Sequence, residues 1–582
     1  MRVFFVFAVA AALLLYSTGL WAPFILDDPQ VLNVAGHFGW NSRPLGYFSF
    51  WLNEQILPVV GPMLPWHEPF YFRLVNVFIH ACAATALFWL AMELTGQWVA
   101  SSFAGALFLV HPIQTQGITY VSQRFESLAA LFMFLAAASY IKFRRSGRIN
   151  WLPATFLFAV AAATTKETAV VLPLWLLFIE FVFFDRTRIR KVAIYLGGIG
   201  LVLVYPAWKA FQGGAGAKTF GWIPWQEYFL TQGAILTKYF QLATWPHRQF
   251  LFYSFDAVTG FSASLLLDWL LVVAVIGLGL YLLRHDRVIG FGILTFFILL
   301  IPVIVLPLPD LIMEHRLYPA FAGVAIAAAG LFRRIPWKAA VVMGGILLVL
   351  LGVKTERRNR DWNDQIGFME LHRKAFPEDP QILARLAAYY YLNGYVNKAL
   401  EANLESREFE SRLNPYYRQQ GHLLTAVNLS YIYIAKHNYP AAKTEALRAI
   451  AASPREPSGW DSLGQVELEM NDPPAAERAF QKAADLAPDL QSLEKLEAAA
   501  SRAGDSATAA RTAEAIKKQK ESAPNPPWML PAIPEKDRTY FVFVLTLGLI
   551  GTVLAAGWTV WAAIHPFLQK SKESSATVVD RP

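Results

Sequence analysis

The sequence predicts an all-α membrane protein: a polytopic helical domain of about twelve spans joined to an α-solenoid. Three observations lead there. Only 16% of the 582 residues are charged and 55% are hydrophobic, against roughly 25% charged in ordinary soluble domains. The deficit is uneven: residues 1–353 are apolar with scattered polar breaks, whereas 356–537 have the composition of a soluble domain. Third, a period of 34 residues runs between 380 and 488. The single cysteine, Cys82, excludes an intrachain disulfide and the multi-cysteine zinc patterns. The net charge of +8 needs no nucleic-acid partner, because much of the basic charge clusters in short loops between apolar runs.

Apolar runs fall near 2–22, 71–92, 96–112, 124–142, 151–165, 168–184, 192–208, 264–283, 288–307, 317–332, 338–354 and 540–564. The runs at 151–165 and 168–184 are short and share a polar break. The run at 226–245 carries Gln226, Glu227, Gln232, Lys238 and Gln241. It makes a poor lipid-facing span and is read as interfacial or packed against protein.

Basic residues set the orientation. Lys142, Arg144, Arg145 and Arg148 fill one loop, and Arg186, Arg188, Arg190 and Lys191 the next on that side. Arg284 with Arg287, then Arg333, Arg334 and Lys338, fill two more. All four share a face only if 226–245 does not cross. Both termini are then cytoplasmic in a cell inner membrane. Residues 23–70, 111–123, 166–167, 209–263, 309–316 and the repeats lie on the periplasmic, extracytoplasmic side. Arg357, Arg358 and Arg360 follow a span on that outer side and are assigned to the first helix of the soluble block. A cleaved signal peptide is the alternative reading of 1–22. The expected domains are 1–355 (membrane, catalytic), 356–520 (repeats), 521–538 (Pro-rich linker) and 539–582 (last span and tail).

The repeats follow the tetratricopeptide pattern. The clearest copy places Trp460, Leu463, Gly464, Ala476, Phe480, Ala483 and Pro488 at consensus positions. The preceding copy has Leu429, Tyr433, Ala442, Ala449 and Pro454. An earlier one has Leu386, Ala387, Tyr390, Gly394 and Ala399, with about nine extra residues after it. Alanines let paired helices approach and aromatics fill the gap to the next pair. Such arrays bind peptides or proteins on a concave face; a structural spacer is the alternative.

Polar groups in or near spans cost roughly 2.5–3.5 kcal/mol for a charge at a helix centre. Here they gather on the predicted outer side: Asp27, Asp28, Arg43, His67, Glu68, His80, His111, Gln114, Gln116, Gln123, Arg124, Glu126, Lys166, Glu167, Asp310, Glu314, His315 and Arg316. A carboxylate beside another resists ionisation, and burial raises its pKa further, which suits proton acceptance near neutrality. The competing account makes Asp28 a helix N-cap with Pro29 at the first helical position. "HPIQTQGITYVSQRFESLA" (111–129), "TTKETAV" (164–170) and "MEHRLYP" (313–319) are polar connections at span ends. Ordinary capped loops and salt bridges would also account for them. Taken together, cation-bearing connections beside an acidic pair suggest an anion site facing a base. The matching chemistry is transfer from a polyprenyl-phosphate donor embedded in membrane lipid, with cations on the leaving phosphate. Arg316, Arg124 and Lys166 are the candidates for that phosphate.

The order "DD…N", "RPL", "NVFIH", "HPIQTQGITYVSQR", "KETAVVLPL" and "EHRLYP", followed by the repeats, resembles the transmembrane and tetratricopeptide repeat-containing glycosyltransferases of the GT-C superfamily, in their bacterial form. The resemblance implies a GT-C-like membrane domain and an inverting, non-covalent sugar transfer from a polyprenyl-phosphate sugar. It also implies an acidic catalytic motif in the first outer loop, which carries onto Asp27 and Asp28. Eukaryotic relatives often have Glu where this chain has Gln116.

The resulting expectation is protein O-glycosylation of an exported acceptor docked by the repeats. Asp27 and Asp28 are the catalytic pair: Asp27 is the general base, and Asp28 orients the acceptor or the sugar or holds a divalent metal. Arg316, Arg124 and Lys166 hold the donor phosphate. His80, His111, Gln114, Gln123, Glu167, Glu314 and His315 bind substrate. A divalent metal stays open, since two aspartates are too few ligands to define a site. The alternatives are a membrane-anchored scaffold without catalysis and a glycan ligase or polymerase.

Overall fold

The computed structural model describes residues 1–29, 31–32, 43–60, 68–185, 223–308, 310–413 and 415–521, together with Gly197 and Gly200. The expected spans at 192–208 (apart from those two glycines) and 540–564, the basic loop 186–191, His67, the linker after residue 521 and the C-terminal tail lie outside the described residues. The described residues form helices and turns, without strands. They divide into two units, one of residues 1–251 and 258–363, the other of 252–257 and 364 onward.

The first unit contains α1 (Arg2–Tyr16), α2 (Pro44–Val60), α3 (Glu68–Thr95), α4 (Trp98–Val110), a short α5 (Thr115–Thr119), α6 (Arg124–Ser146), α7 (Trp151–Thr165), α8 (Leu172–Phe183), α9 (Trp225–Thr244), α10 (Ala263–His285), α11 (Arg287–Val305), α12 (Leu317–Phe332) and α13 (Trp337–Asp361). Each coincides with an apolar run except α2 and α5. Five are long and apolar enough to cross a membrane: α3, α6 with the turn before it, α10, α11 and α13. α1, α4 and α7 are shorter apolar helices. α10 and α13 bury only 17% and 28% of their apolar windows. Leucine and valine all round, with nothing packed on most of the surface, is what a lipid-facing helix presents.

The turns follow from local chemistry. Gly147, at φ 66°, ends α6 in the left-handed conformation that glycine adopts without a Cβ penalty. Asp286 caps α11 by accepting from the amides of Val288 and Ile289 at 3.0 and 3.3 Å. The same carboxylate pairs with Arg333 and Arg334, each at 2.7 Å, so one buried acid ties two basic loops at one end of the bundle. α11 and α12 pack backbone to backbone. A Cβ on Gly292 would lie 2.4 Å from the amide nitrogen of Ala327. Small residues at such crossings are how membrane helices approach.

α9 is the run of doubtful character. It packs on α10, α11 and α12. Its Thr231 and Gln232 are buried, and Trp269 donates to Leu230 O at 3.1 Å. The hydroxyl of Tyr228 donates to Val303 O and that of Tyr239 to Met313 O. Thr231, Gln232 and the two tyrosines of α9 are thus spent on protein, while Gln226 and Gln241 stay exposed.

Arg357, Arg358 and Arg360 correct one expectation. They continue α13 rather than opening the solenoid, and the units divide between residues 363 and 364.

In the second unit, α14 (Gln365–Ala375) precedes four antiparallel helix pairs: α15 (Pro380–Leu392) with α16 (Val396–Phe409), α17 (Pro415–Ala435) with α18 (Tyr439–Ala452), α19 (Pro457–Glu469) with α20 (Pro473–Leu486), and α21 (Leu490–Ala503) with α22 (Ser506–Glu521). This is a tetratricopeptide-type solenoid. Proline at the first turn and Asp or Asn at the cap start many of these helices: Asp379, Asn438, Asp472 and Asp489 each accept from amides inside their helix. Each hairpin turn holds one residue at positive φ: Gly394, His437, Asn471 and Gly504. A Cβ on Gly464 would meet the Phe480 ring at 2.7 Å, the small-against-large packing that the repeat pattern implies. The fourth pair is absent from the sequence reading. Its spacing slips to 33 residues, so that Leu493, Leu496 and Ala509 take the positions of Trp460, Leu463 and Ala476, and Ala513 stands where Phe480 was.

Candidate active site

One stripe of α3 organises the site. Arg73, Asn76 and His80 are spaced by three and four residues, hence on one helix face, and all are buried. The Arg73 guanidinium donates to Thr119 O at 2.8 Å, to Pro23 O at 2.7 Å and to Ala22 O. Asn76 donates to Ile118 O and Val121 O at 3.0 and 3.3 Å. His80 bonds the Tyr318 hydroxyl at 2.8 Å and Leu109 O at 3.0 Å. Irregular backbone at membrane depth persists only where side chains satisfy its carbonyls. This stripe does so for 22–23 and 109–121.

The two aspartates fare differently. The tight turn Ile25–Asp28, closed by an amide bond of 2.9 Å, puts Leu26 at φ 47°. A branched side chain in that region is an outlier that surrounding structure must enforce. Asp28 is fully buried. Its Oδ1 accepts from the Ser122 amide at 2.8 Å and its Oδ2 from the Ile25 amide at 3.1 Å. Burial pushes its pKa up to about 6, against the opposing charge of Arg73 and the amide bonds. The N-cap account of Asp28 does not hold, because Val31 N bonds Asp27 O at 2.9 Å, making Asp27 the cap residue. Asp27 is exposed, its amide donating to the Tyr120 hydroxyl at 3.3 Å.

The cations collect on the same connections. Arg43 grips Glu167 with two bonds of 2.8 and 2.5 Å. Burial alone would raise Glu167, but the charge and hydrogen bonds of Arg43 hold it at about 2. Lys166 meets Glu126 at 2.8 Å. Burial, and then the charges of Lys166, Arg316 and Arg43, hold the pKa of His315 well below its ordinary value. Its amide donates to Gln116 Oε1 at 2.6 Å. The 111–123 connection therefore receives Asp28 at Ser122 and His315 at Gln116, which brings acids and cations to one end of the bundle. Arg316 donates to Leu311 O at 3.2 Å and forms no ion pair among the described residues. The opposite end holds the described basic loops, including Arg144 bound to Glu180 at 2.7 Å.

Three of the predicted site residues are bonded within the protein. Arg124 is fully buried and bonds Asn76, Asn53, Ser49 O and Phe72 O at 2.6–3.0 Å. Its donors clamp α2 and α3 and are not left for a phosphate. His80 has both ring nitrogens bonded within protein and holds helices together. Glu314 accepts from the Phe250 amide at 2.8 Å and Gln249 at 3.1 Å, with Arg358 3.8 Å away; it orders the 249–250 loop. His111 accepts from the Ile113 amide at 3.2 Å and caps its turn, and burial, then Lys354, draws its pKa down to about 3. Gln123 reaches only Ser122 Oγ at 3.5 Å. Gln114 is buried with neither amide atom bonded among the described residues.

Arg73 went unread because it lies inside an apolar run; an arginine two residues into a predicted span was the available signal. Arg43 and Glu126 were visible as outer-side charges but were given no role. Among the described residues, no group of three or more His, Cys, Asp or Glu is arranged to hold a metal ion.

No family model matches the chain. It is 30% identical over 228 residues to protein O-mannosyl-transferase Tmtc2 of Drosophila melanogaster, covering 33% of this chain and 24% of that protein. The relatives it resembles are protein O-mannosyl-transferases. Another, F38B6.6 of Caenorhabditis elegans, is 24% identical over 404 residues, covering 65% and 54%. TMTC2 of Mus musculus is 34% identical over 157 residues, covering 26% and 18%. The chain thus spans between about a fifth and about half of the length of these curated relatives. Among solved structures, MamA from Desulfovibrio magneticus RS-1 aligns at TM-score 0.24 and 17% identity, covering 28% of this chain and 89% of that one. The Cut9–Hcn1 hetero-tetramer aligns at 0.25 and 11%, covering 77% and 92%. Scores this low add nothing to the helix pairs described above.

Proposed function

We propose that this chain is an integral-membrane, inverting glycosyltransferase of GT-C type. It moves a sugar, mannose by analogy with the relatives' names, from a polyprenyl-phosphate donor to a hydroxyl of an exported protein. The observation that carries the reading is the exposed Asp27 carboxylate, beside a buried and amide-bonded Asp28, at the same end as Arg43, Lys166 and Arg316. Asp27 takes the proton of the acceptor hydroxyl. That oxygen bonds to the anomeric carbon from the face opposite the phosphate, the carbon–phosphate-oxygen bond breaks, and its electron pair leaves on the polyprenyl phosphate. Arg316 and Lys166 stabilise the charge formed there. Asp28 holds the turn that presents Asp27. Gln114, with His111 and Gln123 beside it, faces the substrate.

The basic loops at the opposite end support a reading in which the site lies at the outer face of the inner membrane and the repeats dock the acceptor. A scaffold without catalysis is the second reading, favoured by the internal pairing of Arg43 with Glu167 and Lys166 with Glu126. The test is Asp27→Asn in a glycan-transfer assay on the full chain. Loss of a general base lowers kcat by about 10²–10⁴ with unchanged melting temperature. Undiminished transfer at normal protein levels removes the enzyme reading. Mass spectrometry of the acceptor, counting sugars added, separates single transfer from a ligase or polymerase.

A further inference from the structure

We propose that Glu126 binds a hydroxyl group of the transferred sugar and so sets donor specificity, an inference that rests on the glycosyltransferase reading above.

The buried carboxylates of the first unit are otherwise spent on both oxygens. Asp28 accepts two amides. Glu180 takes Arg144 on one oxygen and Arg144 with Tyr140 on the other. Asp286 takes Arg333 on one oxygen and Arg334 on the other. Glu314 takes the Phe250 amide and Gln249. Glu126 is only 2% exposed, yet binds Lys166 through Oε1 alone. Its Oε2 is buried with no donor among the described residues. Among the described residues of this unit a structural salt bridge satisfies both oxygens, as Arg43 does for Glu167, although Glu410 of the repeats also leaves Oε1 unbonded.

Position says which donor is wanted. Glu126 opens α6 four residues after Ser122, whose amide Asp28 holds. Its partner Lys166 precedes Glu167, the residue that Arg43 grips. A sugar in transfer must bridge the base and the phosphate, and Glu126 belongs to the connection that joins the aspartate turn to Lys166. Hydroxyls are the sugar's only strong donors, and a hydroxyl-to-carboxylate bond is charge-assisted. A site built for such a bond rejects analogues lacking the hydroxyl far more strongly than a hydrophobic pocket does.

The test measures binding of polyprenyl phosphate and of polyprenyl-phosphate mannose to the full chain in nanodiscs. Glu126→Gln is expected to bind the sugar-free lipid within about twofold of wild type and the mannosylated lipid at least about tenfold more weakly. Glu126→Asp keeps the charge for Lys166 but withdraws the oxygen by one methylene. It should show the same split with an unchanged melting temperature, and so stands if the glutamine variant misfolds. Equal losses for both lipids, or no loss for either, overturns the role of Glu126 and leaves the enzyme reading intact. A wild-type chain that binds neither lipid overturns both.

Discussion

Replacing Asp28 by asparagine tests whether burial governs the aspartate turn. The pKa of Asp28 stands at about 6 in the fold against an ordinary 3.8. At about 1.36 kcal/mol per pH unit, that makes the ionised carboxylate cost the fold about 3 kcal/mol. Because the folded-state pKa is the higher one, the folded chain holds the proton more tightly. The benefit is full below about pH 3.8 and is lost as pH rises to about 6. Asparagine never ionises and escapes this loss. It keeps one acceptor for the two amides of Ile25 and Ser122, so one buried N–H is left over, at a pH-independent cost of about 1–3 kcal/mol. The variant should therefore be clearly less stable than wild type at pH 4 and close to it at pH 7. With about 1 °C per kcal/mol for a chain of this size, the difference in melting temperature should change by roughly 2–3 °C across that range. Scanning fluorimetry of both proteins in the same detergent, at half-unit pH steps, measures it. Parallel curves from pH 4 to 7 would refute the argument, since Asp28 would then titrate as an ordinary exposed carboxyl.

Gly117 lies where the connection crosses Tyr318. An added Cβ would stand 2.6 Å from the ring, whose hydroxyl bonds His80. Gly117→Ala should cost about 1–3 kcal/mol in thermal unfolding and reduce transfer activity with it, and Tyr318→Leu in the same chain should recover part of the stability. In the repeats, Asn471 sits at φ 60° in a hairpin turn. Asn471→Gly removes the strain of a left-handed side chain, and should leave stability unchanged or raise it by up to about 1 kcal/mol. Asn471→Val should lower it by about 1–2 kcal/mol in the same melt.

The helices were legible because lipid and core both demand uninterrupted apolar runs. α7 and α12 end where their runs end, and α6 exceeds its run only by the basic turn that Gly147 closes. Three helix pairs were legible from their alanines and aromatics; the fourth lost its aromatic and one residue of spacing together. What sequence does not encode locally is who bonds whom. Arg124 and Arg316 look alike as arginines at the ends of apolar runs. Only the fold distinguishes one with four protein acceptors, which tie two helices together, from one that bonds Leu311 O and lies against the Tyr239 hydroxyl. The same holds for the aspartates, where a one-residue difference in a turn decides which carboxylate is buried. Arg73 was hidden for the opposite reason, since a lone charge in an apolar run is averaged away by its neighbours.

The clamp made by Arg124 bears on biogenesis. Its acceptors, Ser49, Asn53, Phe72 and Asn76, all precede it in the chain. When the ribosome releases α6, the segments that quench its guanidinium have already been made, so the charge need not wait in lipid for later helices. A gene rearranged to begin at α3 and carry α2 at its end would deliver that arginine before two of its acceptors exist. Such a product would be expected to stall at insertion and go to quality-control proteases, even though its finished contacts would be the same.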